Sequence, residues 1–595
     1  MLLVATSLSP LGASPGAAAG QEPDDDPARR WEFFIEQRRF PATDRLGARL
    51  QAARLDVLTR SRLALPPGGA GVLGGTWTPL GPERIPAFGA SAGRVSDIEL
   101  HPRDPDILYV GGAQGGVWRS DDGGGSWRPL TDHECSLAMG SIAIDPVDPD
   151  IVYAATGEQH FSGDSYYGCG VLRSIDGGLS WTRLGTSVFS GPRGGPRISR
   201  ILVDPATAGT TASTVLWAAT SFGLYRSGDS GGSWTEVRDG YATDLVLDPD
   251  DPSVLYAAFF RDGVYRSSDG GLTWVLEILQ GAPPEVGRIN LAIAPSDGDV
   301  VYAAVADGET FDGEFLGIWR TGDSEHLWLR RPASGASCAP QCWYDLTMAV
   351  HPTDPEVLYF GGVRLYRSDD GAGSFARIGA PIHPDQHRLT VDPRRPDWLW
   401  VGNDGGVYLS TDRGARWTTL NTDLSLTQFY GGVSVAPQGM VRILGGTQDN
   451  GTLEYAGAPE WDRVLGADGG HTAIHPLADV RWMETQWGGS YSGPRRSVSG
   501  GVPEQRIDGI DLDENAVFIP PLVMDPFDPN VLYFGTSTLY RTDNEGESWR
   551  PIGADFRGVR ISAIAPSRSD AGVVYVGTAG AGVWSTTDGG TRWRA

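Results

Sequence analysis

Along most of this chain, short apolar runs alternate with polar turns in one recurring order. Each unit opens with an apolar run closed by His-Pro or Asp-Pro, as in Val95 to Pro102, Ile142 to Pro146 and Leu346 to Pro352. An Asp/Pro turn follows, then a second run around an aromatic residue: Tyr109, Tyr153, Trp217, Tyr256, Tyr302, Tyr359, Trp400, Tyr533 or Tyr575. A third run of the type Gly-Val-Tyr-Arg-Ser enters a turn in which Ser/Thr, Asp, Gly and Ser/Thr stand at alternate positions, and a Trp opens the fourth run. Clean turns are Ser120-Asp122-Gly124-Ser126-Trp127, Ser174-Asp176-Gly178-Ser180-Trp181, Ser227-Asp229-Gly231-Ser233-Trp234 and Ser267-Asp269-Gly271-Thr273-Trp274. Worn ones end at Trp328, Phe375, Trp417, Trp549 and Trp593, with Ala372 for the Gly, Asn544 for the Asp, and Arg416 or Arg592 for the hydroxyl residue. Short β-branched and aromatic runs between turn residues predict strands. A four-stranded sheet cannot cover both of its faces, so a repeat of about 40 to 60 residues predicts blades stacked in a ring: an all-β fold, a β-propeller.

The turn residues are explained by local structure. Asp and hydroxyl side chains hydrogen-bond nearby backbone N–H groups, and Gly takes positive φ without a Cβ clash. These carboxylates are therefore assigned to the fold, and the Trp to contact between blades.

The turns resemble those of the bacterial-neuraminidase or Asp-box repeat family, which includes sialidases, sortilin-type receptor ectodomains, photosystem assembly factors and xyloglucan-cleaving glycoside hydrolases. The resemblance runs from Gly75 to Arg594. It implies an Asp-box propeller and leaves the activity open, since one fold hosts enzymes and binding scaffolds alike.

We count eleven units, two of them without an intact Asp turn between Gln428 and Asn515. The expected division is a signal peptide (1–19), a helical arm and linker (20–75), a first propeller of about seven blades (76–424) and a second or incomplete propeller of about four (425–595). A single large ring of about ten blades is the alternative, and Thr76-Trp77-Thr78-Pro79-Leu80 resembles a fourth strand able to close either ring. The arm is read from Trp31, Phe34, Ile35, Leu50, Leu55 and Leu58, divided by Pro41. Ala17-Ala18-Ala19 reads as a cleavage site, which places the protein in the secreted or periplasmic space. The positive stretch that opens such peptides is missing, which fits a true start upstream of Met1.

A net charge of −26, from 48 basic and 74 acidic residues, argues against nucleic acid and anionic membrane as partners. No apolar run is long enough to span a bilayer. The four cysteines suit export. Cys135 and Cys169 fall on two loops of one face of the second unit, and Cys338 and Cys342 share one link, so the expected bonds are Cys135–Cys169 and Cys338–Cys342. Their spacings match no zinc pattern.

In a propeller the link entering each blade and the loop between its second and third strands open on one face, opposite the Asp turns. That face is where ligands are expected. It gathers His383-Pro384-Asp385-Gln386-His387, Asn403-Asp404-Gly405-Gly406, Gln448-Asp449-Asn450-Gly451 and Asp468-Gly469-Gly470-His471. From these, His383, Asp385 and His387 are the candidate ligands of a divalent metal, and Asp404, Asp449 and Asp468 the candidate catalytic carboxylates. His101, His351 and His475 belong to His-Pro strand ends and are assigned to turns.

Arg94, Arg197 and Arg288 open inner strands and would converge on the channel, where guanidinium groups favour a carboxylate ligand. Tyr166 and Tyr167, in the long loop Gly157 to Gly170, and His471 complete the candidate ligand-binding set. Arg84-Ile85-Pro86 resembles a sialidase motif, yet no Tyr/Glu nucleophile pair can be placed. The resemblance to xyloglucan-cleaving enzymes implies a catalytic Asp before the third strand of the first unit. Here Gly111-Gly112-Ala113-Gln114-Gly115-Gly116-Val117-Trp118 has Ala113 at that position, and hydrolysis needs two carboxyl groups. The leading expectation is thus an exported propeller that binds a polysaccharide or protein without catalysis. The opposing one is a secreted glycoside hydrolase using paired carboxylates.

Overall fold

The computed structural model describes residues 79–595, apart from 191–194, 309–312, 323–326, 437–440, 489–491, 554–555, 557 and 581. The expected signal peptide and helical arm lie outside the described residues. Among those described there is no helix. Strands form ten four-stranded sheets and one of three strands, and each strand pairs antiparallel with its neighbour in sequence. The order is that of the sequence pattern: in the first sheet, Val95–Leu100, Leu108–Gly112, Gly116–Ser120 and Arg128–Pro129.

The Asp turn closes each third-to-fourth-strand connection with one set of bonds. The Ser120 hydroxyl donates to Asp122 Oδ1 (2.8 Å) and accepts the Gly124 N–H (2.8 Å). Asp122 in turn accepts the Ser126 N–H (2.9 Å) and hydroxyl (2.8 Å). The worn turn at Ser368 and Asp370 keeps this network although Ala372 stands at φ +66° in place of Gly, a left-handed conformation that costs a residue with a Cβ. The hydrogen-bond set therefore outweighs the penalty. His101 and His475 likewise serve turns, each Nδ1 accepting two backbone N–H groups.

The core lies between sheets. Tyr109 of the first sheet is buried with Met139, Ile142 and Val152 of the second, and equivalent clusters join each sheet to the next through the seventh. The seventh then meets the first: Trp400, Val407 and Leu409 pack on Val95, Ile98, Leu108 and Val110. The Trp127 indole N–H donates to Leu420 O across that contact (2.7 Å). Trp181 makes the equivalent bond from the second sheet back to Leu130 of the first (3.1 Å).

The eighth sheet begins differently. Its Trp461 donates to Leu80 O (2.8 Å), and Ile85 and Ala87 lie on Leu453, Tyr455 and Trp461. Leu80, expected to close a ring, thus sits against the eighth sheet. Arg84 pairs at the surface with Glu460 (3.6 Å), so Arg84-Ile85-Pro86 anchors this contact. Sheets eight to eleven pack in series.

These contacts rank two tryptophans. Trp400 is fully buried between the first and seventh sheets, whereas Trp181 is only partly buried. Trp400→Ala should cost about 3–5 kcal/mol and Trp181→Ala about 1–3 kcal/mol, read from urea unfolding midpoints. An equal or reversed order would show that the contact between the seventh and first sheets is not a principal source of stability.

Candidate functional site

The inner strands of the first seven sheets carry small and charged residues inward, and ion pairs draw the space between them shut. Arg388 Nε lies 2.8 Å from Asp97 Oδ1 and Arg200 Nε 3.0 Å from Asp244 Oδ1. Asn290 donates to the other Asp244 oxygen (2.6 Å). The cavity they line with His160, Arg288 and His387 holds about 30 Å3, room for about one water molecule. Above it lies the loop face.

On that face the loops fold inward into one buried polar cluster. Arg94, just ahead of its inner strand, donates to Asp164 Oδ2 (2.8 Å) and to the Tyr344 hydroxyl (2.7 Å). Tyr344 donates to Asp404 Oδ2 (2.8 Å), and His387 Nε2 lies 2.5 Å from Asp404 Oδ1. The His387 ring packs on His160 (4.2 Å between centroids) and on the edge of Tyr344 (4.6 Å). His160 Nδ1 meets Glu158, and Arg288 donates to Tyr344 O. Residues from four separate loops therefore hold Asp404 in a fixed orientation.

Beside this chain, Asp345 and Asp385 face each other. Neither Asp345 oxygen has another hydrogen-bond partner, and two buried carboxylates cannot both ionise in contact. Burial and the Asp404 charge hold the Asp345 carboxyl well above its usual range, and burial with Asp345 does the same to Asp385. Such a couple is expected to retain a proton. The imidazoles move the other way: burial and His387 push His160 down to about 3, and burial pushes His383 down to about 4. Burial, then Arg94, carries His387 well below its ordinary value. Burial alone would raise Glu158, but Arg94 and His160 outweigh it and hold the carboxyl far below the usual range.

The expected site residues divide accordingly. Arg94, Arg288, His387, Asp385 and Asp404 come together, all buried. They were expected at an open mouth; the loops instead close over them. His383 stands apart. Its ring lies edge-on to Phe88 (4.6 Å), with its two nitrogens facing the carbonyl oxygens of Pro384 (3.0 Å) and Asp449 (3.3 Å). The expected metal set of His383, Asp385 and His387 is thus split, and among the described residues no three His, Cys, Asp or Glu side chains are grouped to hold a metal ion.

Asp468 Oδ1 accepts the Asp449 N–H (2.6 Å), which places both at the edge of the cluster. His471 lies elsewhere, its N–H donating to Glu484 (2.9 Å). Arg197 stacks over Tyr167 (4.6 Å), and Tyr166 is half-buried in the same loop. Cys135 is bonded to Cys169 and Cys338 to Cys342. Sequence reasoning missed Tyr344 and Asp345. They directly follow the Cys338–Cys342 loop, and a Trp-Tyr-Asp run in a disulfide-braced link was the available signal.

No family model matches the chain. It is 28% identical over 363 residues to a xyloglucanase of Paenibacillus sp, covering 53% of this chain and 34% of that protein. It is 23% identical over 480 residues to a probable oligoxyloglucan-reducing end-specific xyloglucanase of Neosartorya fischeri, covering 76% of this chain and 50% of the relative. The chain thus spans a third to a half of the length of these relatives. Among solved structures, an ancestral GH74 enzyme superposes with a TM-score of 0.61 at 17% identity, covering 87% of this chain and 78% of that one. At that identity the match shows the fold, a β-propeller. The similar curated proteins are xyloglucanases, which does not support the expectation of binding without catalysis.

The proton-sharing pair has a pH signature. Unfolded carboxyls titrate near about 4, so a raised folded value means that the native state holds the proton more tightly. That contribution is full below about pH 4 and is lost as pH rises through the folded range. The lowered histidines act oppositely: theirs is full above about pH 6.5 and lost as pH falls. Asp385→Asn should therefore flatten the alkaline side of a plot of urea midpoint against pH and leave the acid side in place. An unchanged alkaline slope would mean that Asp345 and Asp385 do not share a proton.

Proposed function

We propose that this protein is an exported glycoside hydrolase acting on a β-linked polysaccharide of the xyloglucan type. In this reading sheets one to seven form a closed seven-bladed ring, and sheets eight to eleven belong to a second propeller. The contact between the first and seventh sheets supports the ring, and the two disulfides suit export.

The observation that carries the activity is the pairing of Asp404 with the proton-retaining Asp345–Asp385 couple. Glycosidic cleavage needs one carboxyl group to protonate the leaving oxygen and another to activate water. Such pairs are recognised where neighbours push two groups toward different protonation. Asp385 takes the acid role, since burial and Asp345 keep a proton at the couple. Asp404 takes the base role, oriented by Tyr344 and His387. Ala113, buried where the resemblance implies a catalytic Asp, means that the carboxyl groups have to come from these loops instead.

The test is reducing-end release from xyloglucan and from unbranched β-glucans, alongside polysaccharide retardation in affinity gels. Wild type should release ends, and Asp404→Asn and Asp385→Asn should each lose about 100-fold or more with polysaccharide binding retained. A wild type that is retarded by xyloglucan but releases nothing would reduce the protein to a binder. One that does neither would remove the polysaccharide reading altogether.

A further inference from the structure

The arginines that precede inner strands on the loop face keep different company. Arg94 pairs with Asp164 (2.8 Å) and donates to the Tyr344 hydroxyl, and Arg288 donates to Tyr344 O. Arg197 stands just before the inner strand of the third sheet, Ile198–Val203, with its backbone N–H fixed on Ser221 Oγ (3.0 Å). Its guanidinium forms no ion pair among the described residues, and Nε and Nη2 have no hydrogen-bond partner among them.

The neighbours of that guanidinium are rings. It stacks over Tyr167 (4.6 Å) and lies beside Tyr241. Tyr241 is stacked on Phe161 (4.8 Å), and Phe260 completes the group at 5.1 Å from Phe161. All these side chains are half-buried, so each keeps part of its surface in water. The local charge is positive. The charges that act on the Tyr241 hydroxyl are Arg197, Glu158 and Arg288, and Glu158 is already engaged by His160 and Arg94.

A partly buried cation without a counter-ion is costly, and a guanidinium edge matches a carboxylate through two parallel hydrogen bonds. Aromatic faces beside it accept the apolar C–H face of a sugar ring. A neutral sugar would use the rings and leave the charge unmet; a uronic acid uses both. The net charge of −26 does not oppose this, because surface charge is screened beyond about 8 Å at physiological salt.

We propose that Arg197, with Tyr167, Tyr241, Phe161 and Phe260, forms a subsite for a uronic acid residue, so that the polysaccharide bound here carries carboxylate groups. As a statement about substrate this rests on the hydrolase reading; as a statement about binding it stands by itself.

Affinity gels cast with xyloglucan, and with the same xyloglucan after partial oxidation of its primary hydroxyls to carboxylates, test it, since the two polymers differ only in the charged group. At low salt wild type should bind the oxidised polymer at least about tenfold more tightly, and the difference should shrink as salt rises. Arg197→Gln should remove the difference with an unchanged circular dichroism spectrum. Arg103→Gln, at an exposed residue in the turn between the first two strands of the first sheet, should keep it. Equal affinity of wild type for the two polymers would overturn the proposal, as would binding to neither or a preference that survives Arg197→Gln. A preference without release of reducing ends keeps the subsite and removes the hydrolase reading; release without a preference does the reverse.

Discussion

The structure depends on the covering of one sheet face by the next. A single four-stranded antiparallel sheet of this kind has apolar residues on both sides and no helix to shield either. Its stability therefore resides in contacts such as Tyr109 on Met139 and Ile142, or Trp400 on Val95 and Ile98. Because the driving force scales with the apolar area removed from water, each sheet gains its stability by packing on its neighbours. The same requirement explains why the first sheet packs onto the seventh, and why Ile85 and Ala87 cover Leu453, Tyr455 and Trp461 of the eighth.

That constraint also separates structural carboxylates from candidate functional ones. Asp122, Asp176, Asp229 and Asp269 bond to their own Ser or Thr hydroxyls and backbone within a few residues. They hold a turn and face away from the loop cluster. Asp404 and Asp164 accept hydrogen bonds from side chains 60 and 70 residues away. A carboxylate served by distant loops is positioned by the whole ring, and only the assembled fold can place it.

Much of the architecture was legible because its signal is local and repeated. The aromatic of the second strand, the Asp turn and the following Trp lie within one unit and recur, so the eleven strand sets could be counted along the chain. The site was legible only in part. Asp385, His387 and Asp404 share one unit and could be grouped by reading their loops together. Tyr344 and Arg94 are 250 residues apart and meet by hydrogen bond, a relation that no spacing encodes. Burial was misjudged for a physical reason: Asp-Gly and His-Pro segments look like solvated loops, and their residues give no sign that loops far apart in the chain converge and shut one another off from water.

The closure of the loop cluster bears on its purpose. Taking Arg94, Glu158, Asp164 and Asp404 out of water carries a desolvation penalty that mutual attraction offsets only when geometry is good and the remaining polar atoms are bonded. Here they are not all hydrogen-bonded: Arg94 Nε and His387 Nδ1 have no hydrogen-bond partner among the described residues. An apolar mouth of similar shape would hold the ring together at lower cost. A buried network left unsatisfied at these atoms is a poor device for stability, and its atoms retain capacity for further hydrogen bonds.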